Sequence, residues 1–204
     1  MDTLPYVLIS GWASGINVYA TVLVTGLLGR YGGVEGVPES LQRTEVLAAA
    51  TVMWALEFVA DKVPYVDNVW DAIHTVIRPT IGAILAALLA GQADDLNEAF
   101  AAVLGGGTAF AAHAAKAGLR LGVNASPEPV SNIVLSLAED SVVVAVILFA
   151  VDHPWAALAI ALTLLIGSIV LVVVLFRKIR GSWARLEARL GLRAAPPADG
   201  GRRE

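Results

Sequence analysis

Four acidic side chains lie inside apolar stretches, where charge is costly. Glu57 and Asp61 are one helical turn apart in "VLAAATVMWALEFVAD", and Glu139 and Asp140 are adjacent in "NIVLSLAEDSVVVAVILFAV". A charge at the centre of a membrane helix costs roughly 2.5 to 3.5 kcal/mol, so such residues should face a partner, a cavity or water. If the four acids meet, repulsion between like charges in a medium of low dielectric constant would keep a proton on one of them. The pattern predicts a carboxylate cluster that exchanges a proton for a cation.

A second polar set offers counter-charges to these acids. His113, Lys116 and Arg120 are spaced i, i+3 and i+7, so they share one face of an Ala- and Gly-rich helix. Lys116 would neutralise Glu57 or Glu139, which leaves a structural ion pair open as the alternative to ion binding. His113 is a candidate proton relay because imidazole changes charge near neutral pH. Its alternative role is a hydrogen-bonded packing residue.

The first apolar segment contributes an amide and two glycines. In "GWASG", Gly11 and Gly15 form a G-x-x-x-G pattern that lets another helix approach closely. Asn17 follows two residues later. Its carbonyl oxygen is a candidate extra ligand for a cation, and the alternative is a hydrogen bond between two helices.

The segment "PYVDNVWDAIHTVIRP" supplies an alternative metal set. Asp67, Asp71 and His74 fall at i, i+4 and i+7, on one face of a helix. Carboxylates suit Mg, Mn or Ca, and imidazole suits Zn, Mn or Fe. We expect an interfacial or re-entrant helix here, and a solvated polar face is the alternative reading of the three residues.

The composition places these residues in a membrane protein. The 204-residue chain is 57% hydrophobic and only 16% charged, with a mean hydropathy of +0.70 and a net charge of -4. A soluble domain of this size carries more polar surface. The absence of cysteine excludes a disulfide framework and a thiolate metal site. No phosphate-binding loop, nucleophile elbow, zinc-protease or dinucleotide motif is present.

The pattern predicts an all-α polytopic membrane bundle of about six transmembrane helices, with four or five as the alternative count. The segments are roughly 5–29, 44–63, 79–92, 97–121, 131–151 and 155–177. Both halves pair a small-residue helix with an acid-bearing one, which suggests a 3+3 inverted repeat. The predicted regions are a bundle at 1–177, a cytoplasmic amphipathic helix at 178–193 and a disordered tail at 194–204.

Basic residues in the connections predict the orientation. The tail "RKIRGSWARLEARLGLR" is cationic, so we expect a cytoplasmic C-terminus and, with six spans, a cytoplasmic N-terminus in a bacterial inner membrane. We assign Lys62 and Arg78 to the connection between the second and third segments, and Lys116 and Arg120 to the connection between the fourth and fifth. Both connections are expected on the cytoplasmic side. The C-terminal helix is predicted to bind anionic lipid rather than nucleic acid.

Four stretches resemble one family. The segments "GWASGINVYATVLVTGLLGRYGGV", "EFVADKVPYVDNVWDAIHTVIRP", "AHAAKAGLRLGVNASPEPVSN" and "SLAED" are similar to the domain of unknown function 4126 family of small bacterial membrane proteins, over roughly residues 9 to 150. The resemblance implies that the following residues belong to the family pattern: Glu57, Asp61, Lys62, Asp67, Asp71, His74, Lys116, Asn124, Glu139 and Asp140. It implies no activity.

A second resemblance concerns a single motif. "EFVADK" is similar to the E-x-G-D-K motif of calcium/manganese–proton exchangers of the lysine-exporter-like superfamily, although Glu57 and Asp61 are four residues apart here. That resemblance implies inverted three-helix halves with acids where they cross.

These observations favour a small transporter. Because a chain of this length encloses little volume, we expect it to form a homodimer. Its site would comprise Glu57, Asp61, Glu139 and Asp140, with Asn17, Lys116 and His113 as supporting groups. We predict no bound cofactor, and a divalent metal ion or a proton-coupled solute as substrate. The alternatives are a lipid-acting enzyme using Asp67, Asp71 and His74, and a non-catalytic membrane adaptor without a cavity at Glu57 or Glu139.

Overall fold

The computed structural model describes residues 3–93, 96–124 and 129–189. This part of the chain consists of helices joined by connecting segments and contains no strand, which confirms the predicted all-α class. The helices are α1 Thr3–Tyr31, a 3-10 turn Glu39–Gln42, α2 Thr44–Ala60, α3 Pro64–Ala90, α4 Glu98–Asn124, α5 Pro129–Asp152 and α6 Pro154–Arg189.

Local sequence signals explain where several helices begin. Prolines occupy the first positions of α3, α5 and α6, where a missing backbone N–H and a fixed φ are favourable. Asn97 precedes α4, and its Oδ1 accepts hydrogen bonds from the backbone N–H groups of Ala99 and Phe100 at 3.0 and 3.2 Å. This is an N-cap, which satisfies donors that have no partner within the helix.

Helix α3 places its polar face inside and its apolar face outside. Val69 and Val76 are 62% and 70% exposed, whereas Asp67 and Arg78 are fully buried. A soluble helix has the opposite arrangement. Among the described residues, four helices are long and apolar enough to cross a membrane: Thr3–Tyr31, Val66–Ala90, Ile133–Asp152 and Pro154–Lys178. The apolar exterior is therefore a surface for lipid.

Helix α1 is broken in its middle. Asn17 has φ -146° and ψ 99°, an extended conformation between two helical arms, residues 3–16 and 18–31. Its side-chain Oδ1 accepts a hydrogen bond from the backbone N–H of Ala20 at 2.9 Å, so Asn17 is the N-cap of the second arm. We call Asn17 the apex.

The two arms of α1 return to the same end of the bundle. Thr3 and Tyr6 from the first arm line one cavity of about 400 Å³ together with Thr25 and Leu28 from the second. In a straight helix Thr3 and Leu28 would be roughly 37 Å apart, at 1.5 Å per residue. The segment is therefore a hairpin whose apex points into the bundle, although its length alone would suffice for a crossing.

Two sequence-based boundaries differ from the structure. The predicted connector at 64–78 is the first half of α3, which continues through Pro79 to Ala90. The predicted boundary at 177/178 is not a helix end, because α6 continues to Arg189. The predicted tail at 194–204 and the end of the amphipathic helix lie outside the described residues. The 3+3 repeat and the count of six spans are not confirmed; α1 is broken whereas α4 is continuous.

The first arm of α1 packs against α4 through glycine. A Cβ atom built on Gly11 would lie 2.6 Å from the carbonyl oxygen of Gly105, and one built on Gly15 would overlap Ala109. The close approach expected from the G-x-x-x-G pattern is therefore made, with α4 as the partner helix.

We predict that Gly11→Ala lowers the melting temperature by several degrees, because the added methyl forces two backbones apart and overpacking costs about 1–3 kcal/mol. The matched control is Gly107→Ala on α4, where a Cβ meets no atom within 4 Å. Thermal unfolding in detergent micelles measures both. Equal melting temperatures for the two variants would contradict the close packing.

Candidate functional site

Nine ionisable residues from four helices meet in the bundle interior around the apex. We call this set the charge network: Glu57, Asp61, Asp67, Asp71, Glu139, Asp140, Arg78, Lys116 and Arg120. Eight of its members have 8% or less of their surface exposed, and the Glu139 side chain is 13% exposed. The acids predicted in α2 and α5 are therefore brought together, as are the predicted counter-charges of α4.

Lys116 occupies the centre of the network. Its Nζ donates hydrogen bonds to the carbonyl oxygen of Ile16 at 2.9 Å and to Asp61 Oδ2 at 3.2 Å. Glu57 Oε1 and Glu139 Oε2 lie further away, at 3.5 and 3.6 Å from Nζ. One ammonium group thus contacts α2, α5 and the end of the first arm of α1.

Arg120, one turn further along α4 than Lys116, binds three of the acids. Its guanidinium donates to Asp61 Oδ2 at 2.9 Å, to Asp67 Oδ1 at 3.0 Å and to Glu139 Oε2 at 2.6 Å. It also donates to the backbone carbonyl of Asp61 at 2.9 Å. Short, charge-assisted contacts of this kind are the strong hydrogen bonds of proteins, and here they fix the ends of α2 and α3 to α4 and α5.

Arg78 joins the network to the apex from the middle of α3. Its NH2 group donates to Glu57 Oε1 at 2.6 Å, and its NH1 group lies 3.3 Å from Asp71 Oδ1. NH1 also donates to the carbonyl oxygen of Gly15 at 3.3 Å and to Nδ1 of His113 at 2.8 Å. The principal partner of Glu57 is therefore Arg78, with Lys116 second.

The hydrogen bonds of the two histidines define their roles. An arginine only donates, so His113 Nδ1 accepts, and its Nε2–H donates to Thr75 Oγ1 at 3.1 Å. His113 is therefore neutral while Arg78 holds it, and its predicted role as a proton relay stays a prediction. His74 donates from Nδ1 to the carbonyl of Trp70 at 2.7 Å, and Tyr19 lies 3.0 Å from Nε2.

Asp140 differs from the other acids because its direct partner is an amide. Asn17 Nδ2 donates to Asp140 Oδ1 at 2.8 Å. Asp140 Oδ2 and the Oγ of Ser136, one turn earlier on α5, are buried and have no hydrogen-bond partner among the described residues. Asn17 thus bridges two helices, one of its two predicted roles, and places a carboxyl group at the apex.

The network carries more acids than cations. Six carboxyl groups face Arg78, Lys116 and Arg120, and the neutral His113 adds no charge. Glu57 Oε2 and Asp61 Oδ1 also lack a hydrogen-bond partner in the described part. Unpaired buried charge is costly in a medium of low dielectric constant, so the site favours added protons or cations.

The break in α1 orients two helix ends toward this charge. The first arm ends with the carbonyl oxygens of Gly15 and Ile16, which accept hydrogen bonds from Arg78 and Lys116. The second arm begins at Asn17, beside Asp140. Cations are stabilising at a helix C-terminus and anions at an N-terminus, so both ends favour the charges they meet.

A side cavity of about 210 Å³ reaches the network between α1, α4, α5 and α6. Lys116 and Glu139 form its polar wall, and Trp12, Leu135 and Leu164 are among its apolar lining residues. The adaptor alternative required that no cavity reach Glu57 or Glu139, so this cavity argues against it.

The alternative metal set is divided among different partners. Asp67 contacts Arg120, Asp71 contacts Arg78 and His74 contacts Tyr19. The described residues contain no group of three or more acids and histidines placed to hold a metal ion. The metal assignments therefore stay predictions, and the enzyme alternative lacks the convergent pocket that it needs.

Sequence reasoning placed several basic residues wrongly. Arg78 and Arg120, which we assigned to cytoplasmic connections, are fully buried in the helices, and Lys116 is 5% exposed. A signal for Arg78 was present, because it continues the stripe of Asp67, Asp71 and His74 one turn further along α3. We did not use that signal because Pro79 was interpreted as the start of a span, which left Arg78 in the preceding connection.

We predict that Arg78→Gln destabilises the protein by about 3–5 kcal/mol, because it leaves Glu57 and Asp71 buried without their cation. Adding Glu57→Gln to this variant should recover part of the loss. The exposed Arg43→Gln is the matched control. Denaturant titration in micelles measures all three, and a wild-type midpoint for Arg78→Gln would refute the assigned role.

Comparison with known proteins identifies the family of the chain. A search of curated proteins and a search of solved structures each found no match. A scan against family models matched residues 5–175 to the model described as Domain of unknown function (DUF4126). That range contains the apex, the charge network and the side cavity, and it covers most of the chain, which therefore belongs to the DUF4126 family.

Proposed function

We propose that the protein is a small integral membrane transporter that moves a cation or a proton-coupled solute through the charge network. One observation carries the proposal: a broken helix ends inside the bundle at a cluster with twice as many acids as cations. Discontinuous helices with ends near the bilayer midplane form the substrate and coupling-ion sites of many transporters.

A purely structural role explains this cluster poorly. Each ionisable residue at membrane depth costs several kcal/mol before pairing, and a buried ion pair often contributes no net stability compared with apolar residues. Three acids would suffice to balance Arg78, Lys116 and Arg120. The three additional carboxyl groups could bind and release protons or cations, which a purely structural cluster does not need.

Asp140 is the group that we assign to exchange. It lies at the middle of α5, and its direct partner is the neutral amide of Asn17 rather than a cation. Protonation or cation binding at its second oxygen breaks no hydrogen bond among the described residues. A change in its charge would act directly on the break in α1.

The topology follows from the hairpin. We assign α1 as a re-entrant segment and α2 to α6 as five crossings, so the N- and C-termini lie on opposite sides. The end with Lys62 and the basic C-terminal tail is cytoplasmic by the excess of lysine and arginine. The cavity between the arms of α1 then opens to the outside.

Labelling of single cysteines tests this topology, and the chain has no native cysteine to interfere. A cysteine added before Met1 should react with a membrane-impermeant maleimide in intact cells. Arg177→Cys, at the other end of the bundle, should react only after lysis. Labelling of both sites from the same side would instead support an even number of crossings.

Flux through proteoliposomes tests the function. We predict that Asp140→Asn lowers flux at least tenfold, because an amide cannot exchange a proton or balance a cation. The matched control is Asp152→Asn, an exposed acid at the end of the same helix, which should transport at the wild-type rate. An internal pH dye with gradients of monovalent and divalent chlorides provides the readout. Wild-type flux from Asp140→Asn would refute the site.

A further inference from the structure

The position of Lys116 indicates the class of cation. We propose that its ammonium group occupies a binding site for a monovalent cation of ammonium size, and that the transported cation displaces it into the side cavity. This inference deepens the proposed function and rests on it for its physiological meaning. The binding site itself is tested independently of transport.

Four oxygen atoms from three parts of the fold surround the Lys116 ammonium. The carbonyl of Ile16 and Asp61 Oδ2 accept hydrogen bonds from it, and Glu57 Oε1 and Glu139 Oε2 complete the shell at longer distances. An ammonium has three N–H donors, so these four oxygens cannot all be satisfied at once. The shell is therefore a loose oxygen cage that a free ion of similar size can enter.

The size of this cage selects against divalent ions. Its oxygens lie 2.9 to 3.6 Å from Nζ, whereas Mg²⁺ and Ca²⁺ need oxygens at about 2.0 to 2.6 Å. Collapse to such distances would pull Glu57 from Arg78 and Glu139 from Arg120, contacts that are both 2.6 Å. A monovalent cation of ammonium size leaves those ion pairs in place.

The charge around the cage favours a cation even with Lys116 present. Glu57 Oε2 and Asp61 Oδ1, the second oxygens of two cage residues, are buried without a hydrogen-bond partner among the described residues. Both side chains are almost completely excluded from solvent. Removal of the tethered ammonium increases the excess of carboxylates, so the vacated cage should bind a cation from solution.

The side cavity gives the displaced lysine a destination. Lys116 itself lines this cavity, where Leu119 and Leu164 suit its hydrocarbon stem and the hydroxyl of Ser168 offers an acceptor. Long cationic side chains commonly bury the stem along apolar surface and direct the head to a polar group. The cavity therefore offers the ammonium a place beside the cage when a cation takes its position.

Removal of the tethered charge tests the proposal. Purified Lys116→Met is titrated with ammonium, methylammonium or potassium chloride, and choline chloride controls for ionic strength. We expect its melting temperature to rise by about 5–10 °C at a hundredfold excess over Kd, because a ligand that binds only the folded state stabilises it. Wild type and Lys116→Arg, in which a tethered cation competes for the cage, should show a clearly smaller rise at the same concentrations. Lys178→Met, which removes an exposed lysine of α6, should behave as wild type.

A second variant keeps the test decisive if Lys116→Met does not fold. Lys116→Cys is purified in ammonium chloride and treated with 2-bromoethylamine. The thiolate displaces bromide and forms a C–S bond, which restores a tethered ammonium. The unmodified variant should require ammonium-sized cations for stability, and the alkylated protein should not.

The outcomes separate this proposal from the proposed function. Equal stability of both vacated variants in choline and in ammonium would overturn the cage, whatever the flux of the wild type. Selective stabilisation by calcium or magnesium would overturn the monovalent class. If the cage binds ammonium but the wild-type protein moves no ion, the cage stands and transport fails.

Discussion

Buried charge in an apolar environment is the constraint on which this bundle depends. Lipid surrounds the helices, so hydrophobicity provides little force to hold them together, and polar contacts with close packing take its place. Lys116, Arg120 and Arg78 lie on only two helices, yet their contacts reach all of α1 to α5. The acids hold the cations in position, and neither set is tolerable at this depth without the other.

The hairpin in α1 depends on the same network. A break in a membrane helix frees backbone carbonyl groups that lipid cannot satisfy. Arg78 and Lys116 donate to the freed carbonyls of Gly15 and Ile16, and Asn17 caps the arm that follows. The close contact of Gly11 with Gly105 brings the first arm near enough to α4 for Lys116 to reach. Glycine packing and ion pairing are thus parts of one arrangement.

The sequence predicted the helices and the polar faces, because both follow from spacing within one segment. The stripe on α4 and the acids of α2 and α5 are examples. It did not predict which cation meets which acid, since that pairing joins residues far apart in the chain. The break at Asn17 was not predicted either, because no proline marks it and its cap is an asparagine inside an apolar run. Arg78 was misplaced because Pro79 suggested a helix start where α3 is continuous.

The placement of acids around the apex connects the fold to the proposed exchange. Asp61 and Glu139 each contact both Lys116 and Arg120. The change in charge when one ion binds or leaves there would therefore be felt by both cationic side chains. Asp140 is bound to the apex itself, so its charge acts on the residue where α1 changes direction. A cation that replaces the Lys116 ammonium would also release the carbonyl of Ile16, on the other side of that residue. In the proposed transporter, occupancy of the cage and the charge of Asp140 would act on the same break from its two helix ends, and cation binding would be coupled to the conformation of α1.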